Sequence, residues 1–146
     1  QQLLDTASAQ AAPGAEAKAI TLTVEPTDLT ARFDPKWTAE ALYNLVDNAV
    51  KYTPAGGAVT LRAVGYELFC RVDVTDTGPG IPESEQARIF QRFYRSPSAS
   101  EAEGVGIGLY LARQIAAGQG GYLKVSSRPG EGSTFSLFLP RAEERT

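Results

Sequence analysis

The sequence predicts an α+β fold, a two-layer sandwich in which helices cover one face of a mixed, mostly antiparallel sheet. Apolar residues recur at helical spacing in two long segments and alternate at period two in several short runs. Most links between the alternating runs are too short to carry a crossover helix, so those strands pair antiparallel. Helices and strands are interleaved, and the two layers share one core. With 146 residues, 42% of them hydrophobic, the chain is long enough to bury that core in one domain.

Residues 1 to 19 are rich in Ala and Gln. Gln1 to Ala12 reads as the end of a helix from a preceding domain, stopped by Pro13 and Gly14 and followed by a linker. Ile20, Leu22 and Val24 alternate with polar residues as in a half-buried strand. Pro26 and Asp28 form a turn, and Leu29 to Phe33 reads as a second short strand. Asp34 suits an N-cap with Pro35 at the first helical position, and that helix runs to about Tyr52. Pro54, Gly56 and Gly57 end it.

Val59, Leu61 and Ala63, then Leu68, Cys70, Val72 and Val74, mark two strands of a hairpin linked through Gly65 and Glu67. Cys70 lies in the apolar alternation and is expected in the core. Pro82 to Phe93 reads as a short helix, and Arg95 to Glu103 as a loop without periodicity. A second long helix follows Gly104, with Leu109, Leu111, Ala112, Ile115 and Ala116 apolar, and Gly118, Gly120 and Gly121 close it. Tyr122 to Ser127 and Ser133 to Leu139 are strands joined by a turn at Pro129-Gly130, and Arg141 to Thr146 is a charged tail.

Composition removes several function classes. A net charge of −3 gives no support for nucleic-acid binding. The single cysteine excludes disulfides and thiolate metal clusters. The absence of histidine closes histidine base, ligand and phosphoacceptor roles to this chain. No apolar run approaches the ~20 residues of a membrane span. With no methionine and Gln as its first residue, the chain reads as a fragment of a longer protein.

Five segments point to chemistry. On the helix ending at Tyr52, Leu42, Leu45, Val46, Ala49 and Val50 form one stripe, and Asn44, Asn48 and Lys51 a narrow stripe opposite. Two amides and an ammonium in a row, spanning ~10 Å, suit a metal-bound chain of phosphates or a solvated polar face. Asp76 ends an apolar strand before Thr77-Gly78-Pro79-Gly80-Ile81. A carboxylate there accepts from an exocyclic amine and repels a carbonyl, and the glycines admit a flat ligand; the same residues also suit an ordinary turn. Gly104-Val105-Gly106-Ile107-Gly108 at a helix mouth suits phosphate, or helix packing, and has neither the P-loop nor the dinucleotide spacing. Arg92 and Arg95 flank Phe93 and Tyr94, suiting phosphoryl oxygens or an ordinary surface. Thr134, in Gly132-Ser133-Thr134-Phe135, offers a hydroxyl to a ligand or simply favours its strand.

In this order and spacing the segments resemble the catalytic and ATP-binding domain of sensor histidine kinases, within the GHKL ATPase superfamily. Asn44 to Pro54 is similar to its N box, Asp76 to Ile81 to its first glycine box and Ile89 to Arg95 to its F box. Gly104 to Leu109 is similar to the second glycine box and Gly132 to Phe135 to the short final one. The resemblance implies a Bergerat sandwich over residues 20–140, with residues 1–19 the end of a dimerisation helix plus linker and 141–146 a tail.

It further implies ATP and Mg²⁺ as cofactors. Asn48 would ligate the metal, with Asn44 and Lys51 near the phosphates and Tyr52 and Tyr94 near the nucleotide. Asp76 would hold the adenine amine, with Gly78, Gly80 and Ile81 around the base. Arg92 and Arg95 would reach phosphates, and Gly104, Val105, Gly106, Ile107, Gly108 and Leu109 would form part of a lid. Hydrolysing branches of the superfamily carry a glutamate where Asn44 stands, and asparagine cannot accept water's proton, which implies phosphoryl transfer instead. The implied partners are a histidine-bearing dimerisation domain of the same protein and a response regulator. The implied parent is a homodimer anchored in the inner membrane, with this domain in the cytoplasm.

Overall fold

The computed structural model describes residues 1–27, 29, 34–81, 86, 107–128 and 130–140. The described elements follow in the order α1 (Gln2–Ala17), β1 (Thr21–Val24), α2 (Pro35–Tyr52), β2 (Ala58–Gly65), β3 (Phe69–Asp76), α3 (Ile107–Gly118), β4 (Tyr122–Arg128) and β5 (Gly132–Pro140). The five strands form one sheet in the order β1-β2-β3-β5-β4. β1 and β2 are parallel, with α2 as the crossover between them, and the other neighbours are antiparallel. The helices lie on one side, as the α+β sandwich requires. No helix among the described residues is long and apolar enough to cross a membrane.

The period-two alternation sets the two faces of the sheet. Val59 and Leu61 of β2, Val72 and Val74 of β3, and Phe135, Leu137 and Leu139 of β5 are buried in one cluster with Leu42, Leu45, Val46 and Ala49 of α2. Cys70 is buried on the same strand alternation. Leu68, expected in β3, instead lies in the hairpin turn and is 73% exposed. The register explains this, because Gly65 pairs with Cys70 and leaves Tyr66, Glu67 and Leu68 to make the reversal. The strand expected over Leu29 to Phe33 falls mainly outside the described residues, as do nearly all of Pro82 to Phe93, the loop to Glu103 and the tail from Arg141.

Residues 1–17 depart from expectation. Pro13 and Gly14 do not stop the first helix; α1 continues through both to Ala17. Leu4, Ala7, Ala11 and Ala15 are buried in the same core cluster as α2, while Pro13 and Gly14 face out. An internal proline removes one helical hydrogen bond and costs ~3 kcal/mol. Burial of the apolar stripe on both sides of Pro13 outweighs that local cost, since helices in proteins owe most of their stability to such packing. The small side chains at positions 7, 11 and 15 leave room for α2 to approach.

The end of α1 is a Schellman turn made without glycine. The Ile20 N–H donates to the Ala15 carbonyl at 2.8 Å and the Ala19 N–H to the Glu16 carbonyl at 3.1 Å. Ala19 sits at φ 59°, in the left-handed region where a Cβ is strained. Ile20 is buried just beyond, and Lys18 Nζ donates to the Val50 and Lys51 carbonyls at the end of α2. Because only the Cβ of Ala19 opposes this geometry, Ala19→Gly is expected to raise stability by ~1 kcal/mol, read from urea denaturation midpoints. An unchanged or lower midpoint contradicts the strain.

Candidate nucleotide site

α2 is held at both ends by other helices. Asp34 caps it, its carboxylate accepting from the Lys36 and Trp37 N–H groups at 3.0 and 3.1 Å. Gln119, just past α3, accepts from the Asp34 N–H and bonds the buried Thr38 hydroxyl. Lys18 clamps the other end. The apolar stripe from Leu42 to Val50 is buried as expected, and Asn44 and Asn48 are half-buried on another side. Asn44 Nδ2 itself is buried and has no hydrogen-bond partner among the described residues. Such an orphan costs ~1–3 kcal/mol unless a ligand completes it. Lys51 is exposed, and its ammonium pairs with Asp47 at 3.0 Å. An exposed i,i+4 pair is worth ~0.3–0.5 kcal/mol, weak enough to open toward a phosphate.

Asp76 ends β3 with only 7% of its surface exposed. Its Oδ1 accepts from the Gly78 N–H at 2.9 Å. Burial raises its pKa, opposed by backbone hydrogen bonds from Gly78 and Ser133. A Cβ at Gly78 would lie 3.0 Å from both Asp76 Oδ1 and the Tyr52 carbonyl. The glycine therefore lets the first glycine box lie against the last turn of α2, bringing Asp76 to the helix that carries Asn44 and Asn48.

The loop after Asp76 is fastened along its length. Thr77 exchanges hydrogen bonds with Ala58, through its N–H to the Ala58 carbonyl and its hydroxyl from the Ala58 N–H. The Gly130 N–H donates to the Pro79 carbonyl at 2.6 Å. Gly80 takes φ 80°, and the Ile81 N–H donates to Ser127 Oγ at 2.7 Å. Ile81 packs its side chain against the core, and Gln86 Nε2 bridges the Ile81 and Ser127 carbonyls.

Thr134 does not join this group. The β3–β5 register pairs Thr75 with Thr134 and Asp76 with Ser133, so Thr134 lies on the open face, its hydroxyl 3.1 Å from that of Thr75. Ser133, buried beside Asp76, occupies the position expected of it. The alternation backward from buried Phe135 points to Ser133, a signal available in the sequence. Thr53 and Ser127 carry no such signal in the sequence, yet the buried Thr53 hydroxyl donates to the Ala49 carbonyl at 2.7 Å beside Gly78, and Ser127 holds the Ile81 N–H. Leu109 packs against the core from the first turns of α3, whose backbone includes Ile107 and Gly108. Arg92, Tyr94, Arg95, Gly104, Val105 and Gly106 lie outside the described residues.

The raised Asp76 pKa has a definite consequence for stability. The folded chain binds this proton more tightly than the unfolded chain, so the ionised carboxylate opposes folding above the folded pKa, and the opposition fades as pH falls through it. Asp76→Asn is therefore expected to raise the melting temperature at neutral pH, with the gain shrinking on acidification toward the ordinary carboxylate range. A gain that does not vary with pH contradicts desolvation as its source.

The family model of the histidine kinase-, DNA gyrase B- and HSP90-like ATPases matches residues 33–143. The adaptive-response sensory kinase SasA of Synechococcus sp. (strain JA-3-3Ab) is 44% identical over 117 residues, covering 79% of this chain and 31% of that protein. The sensor protein DivL of Caulobacter vibrioides is 40% identical over 144 residues, 97% of this chain and 18% of its own. The chain thus spans about a third or less of these curated relatives. Among solved structures, the mycobacterial sensor histidine kinase MprB superposes with a TM-score of 0.84 at 27% identity, over 98% of this chain and 95% of its own. Full-length ShkA in complex with AMPPNP gives 0.85 at 30% identity, over 99% of this chain and 30% of its own. The chain belongs to the histidine kinase-, DNA gyrase B- and HSP90-like ATPase family, as a histidine kinase ATP-binding domain of the GHKL superfamily.

Proposed function

We propose that this domain binds Mg·ATP and donates the γ-phosphoryl group to a histidine on a separate dimerisation domain of the same protein. The observation that carries the reading is the buried Asp76 carboxylate, held beside the end of the helix that bears Asn44 and Asn48. One end of the pocket suits an amine-bearing base and the other suits phosphates. Asn48 supplies an oxygen for Mg²⁺, which neutralises phosphate charge, and the orphaned Asn44 amide gains an acceptor from a phosphate oxygen. Lys51, Arg92 and Arg95 act as further phosphate-binding cations, and the segment from Gly104 to Leu109 covers the phosphates. Tyr52 and Tyr94 flank the nucleotide.

The attacking group is supplied from outside this histidine-free chain. An imidazole nitrogen forms the N–P bond as the bond to the β,γ-bridging oxygen breaks and ADP leaves. The phosphoryl group then passes to an aspartate of a response regulator. Asn44 cannot deprotonate water, which favours transfer over hydrolysis. Because α1 shares the core with α2, the ATP-binding unit in this reading includes α1, and the dimerisation domain of a homodimeric parent is a separate unit.

Calorimetry on the wild-type chain is expected to show magnesium-dependent ATP binding. Asp76→Asn should weaken it by ~10- to 100-fold, the worth of one charged hydrogen bond; unchanged affinity refutes base recognition. Asn48→Ala should remove the magnesium dependence, and an undiminished Mg²⁺ effect rejects that ligand. Mixed with the purified dimerisation domain and γ-labelled ATP, the chain should label histidine. ATP binding with no labelled histidine would instead mark a nucleotide-controlled docking module.

A further inference from the structure

The β4 residue Ser127 lies at the meeting point of the glycine-box loop, the β4–β5 turn and Ser133. Its hydroxyl oxygen is 2.7 Å from the Ile81 N–H nitrogen, 3.0 Å from the Gly132 carbonyl and 2.7 Å from Ser133 Oγ. A serine hydroxyl has one proton and two lone pairs. The Ile81 N–H can only donate and the Gly132 carbonyl can only accept. All three contacts are hydrogen bonds at once only when the Ser127 proton goes to Gly132. The Ser133 proton must then go to Ser127, because no other proton is available for that contact. Ser133 Oγ is left with lone pairs alone, on the buried face beside its cross-strand partner Asp76.

We infer that Ser127 is a positioning residue for base selection: it holds the Ser133 proton away from the pocket, so that Asp76 and Ser133 together present only acceptors. This rests on the nucleotide-binding reading above. An acceptor-only end favours a purine that offers an amine at its six position and disfavours one that offers a carbonyl. Ser127 touches neither the base nor the phosphates in this arrangement. It acts through the proton of Ser133 and through the N–H that fixes Ile81. Without it, the Ser133 hydroxyl is released to turn its proton toward the base and accommodate a carbonyl.

The discriminating experiment measures affinities for ATP and inosine triphosphate, which differ at that amine, on the 146-residue chain. Wild type is expected to prefer ATP. In Ser127→Ala the ATP/ITP preference should fall by about five- to twenty-fold, the worth of one redirected hydrogen bond at a charged site. Ser127→Thr, which keeps the hydroxyl, should retain the wild-type preference. A purely structural role would weaken both nucleotides alike, and a folded Ser127→Ala chain with an unchanged ratio overturns the inference. If Ser127→Ala does not fold, Ser133→Ala decides, because it leaves the bonds of Ser127 to Ile81 and Gly132 in place: the inference requires a reduced ratio there, and an unchanged one overturns it. A wild-type chain that binds ATP but selects no base would refute base recognition itself, and the role of Ser127 with it. Selectivity that survives Ser127→Ala removes only the latter.

Discussion

The structure is organised around a carboxylate that has been taken out of water. Asp76 stands at the end of the central strand β3, between β2 and β5, on the face covered by helices. Burying an anion is costly unless donors surround it. Backbone N–H groups of Gly78 and Ser133 supply that compensation, and both come from segments bent to reach it. Gly132 shows how tight the bend is. At φ 85° it lies so close to β3 that a Cβ would sit 2.1 Å from the Asp76 carbonyl oxygen. The β4–β5 turn, the loop from Thr77 to Ile81 and the last turn of α2 thus all converge on one side chain.

That convergence is useful only if α2 cannot slide. Its two ends are tied by residues just past two other described helices, Gln119 beyond α3 and Lys18 beyond α1. Each tie uses backbone groups that a helix end would otherwise leave unsatisfied. The three helices and the sheet therefore set the offset between the asparagines of α2 and Asp76. Pre-set geometry of this kind lets a domain bind a nucleotide at both ends without first ordering its own scaffold.

Much of this is legible in the sequence, and most of what is not has one cause. Asp34-Pro35, the stripe from Leu42 to Val50 and the alternation through Val59, Val72 and Phe135 are local signals, and each appears where it was read. Pro13-Gly14 is an equally strong local signal that failed, because the burial of Ala11 and Ala15 against α2 is a long-range contact absent from the local pattern. The ties from Lys18 and Gln119 span 32 to 85 residues and leave no periodic trace. The choice of Thr134 over Ser133 is different in kind. The letters of the motif point to Thr134, whereas the pleat, counted back from Phe135, assigns the two residues to opposite faces.

A second buried aspartate shows how differently this chain meets a buried charge. Asp73 lies on the same strand, is 8% exposed and faces the other side of the sheet. There Arg71 Nε and the Ser136 hydroxyl both donate to its carboxylate, a charge-paired arrangement that strengthens the sheet. Asp76 has no such cation among the described residues, and the orphaned Asn44 amide lies on the helix packed beside it. Among the described residues, the chain thus gives one buried carboxylate a cation and leaves the other with backbone donors alone. Costs of this sort usually persist where a ligand offsets them. Both stand on the helix-covered side of the sheet, and a nucleotide with an amine at one end and phosphates at the other would resolve both.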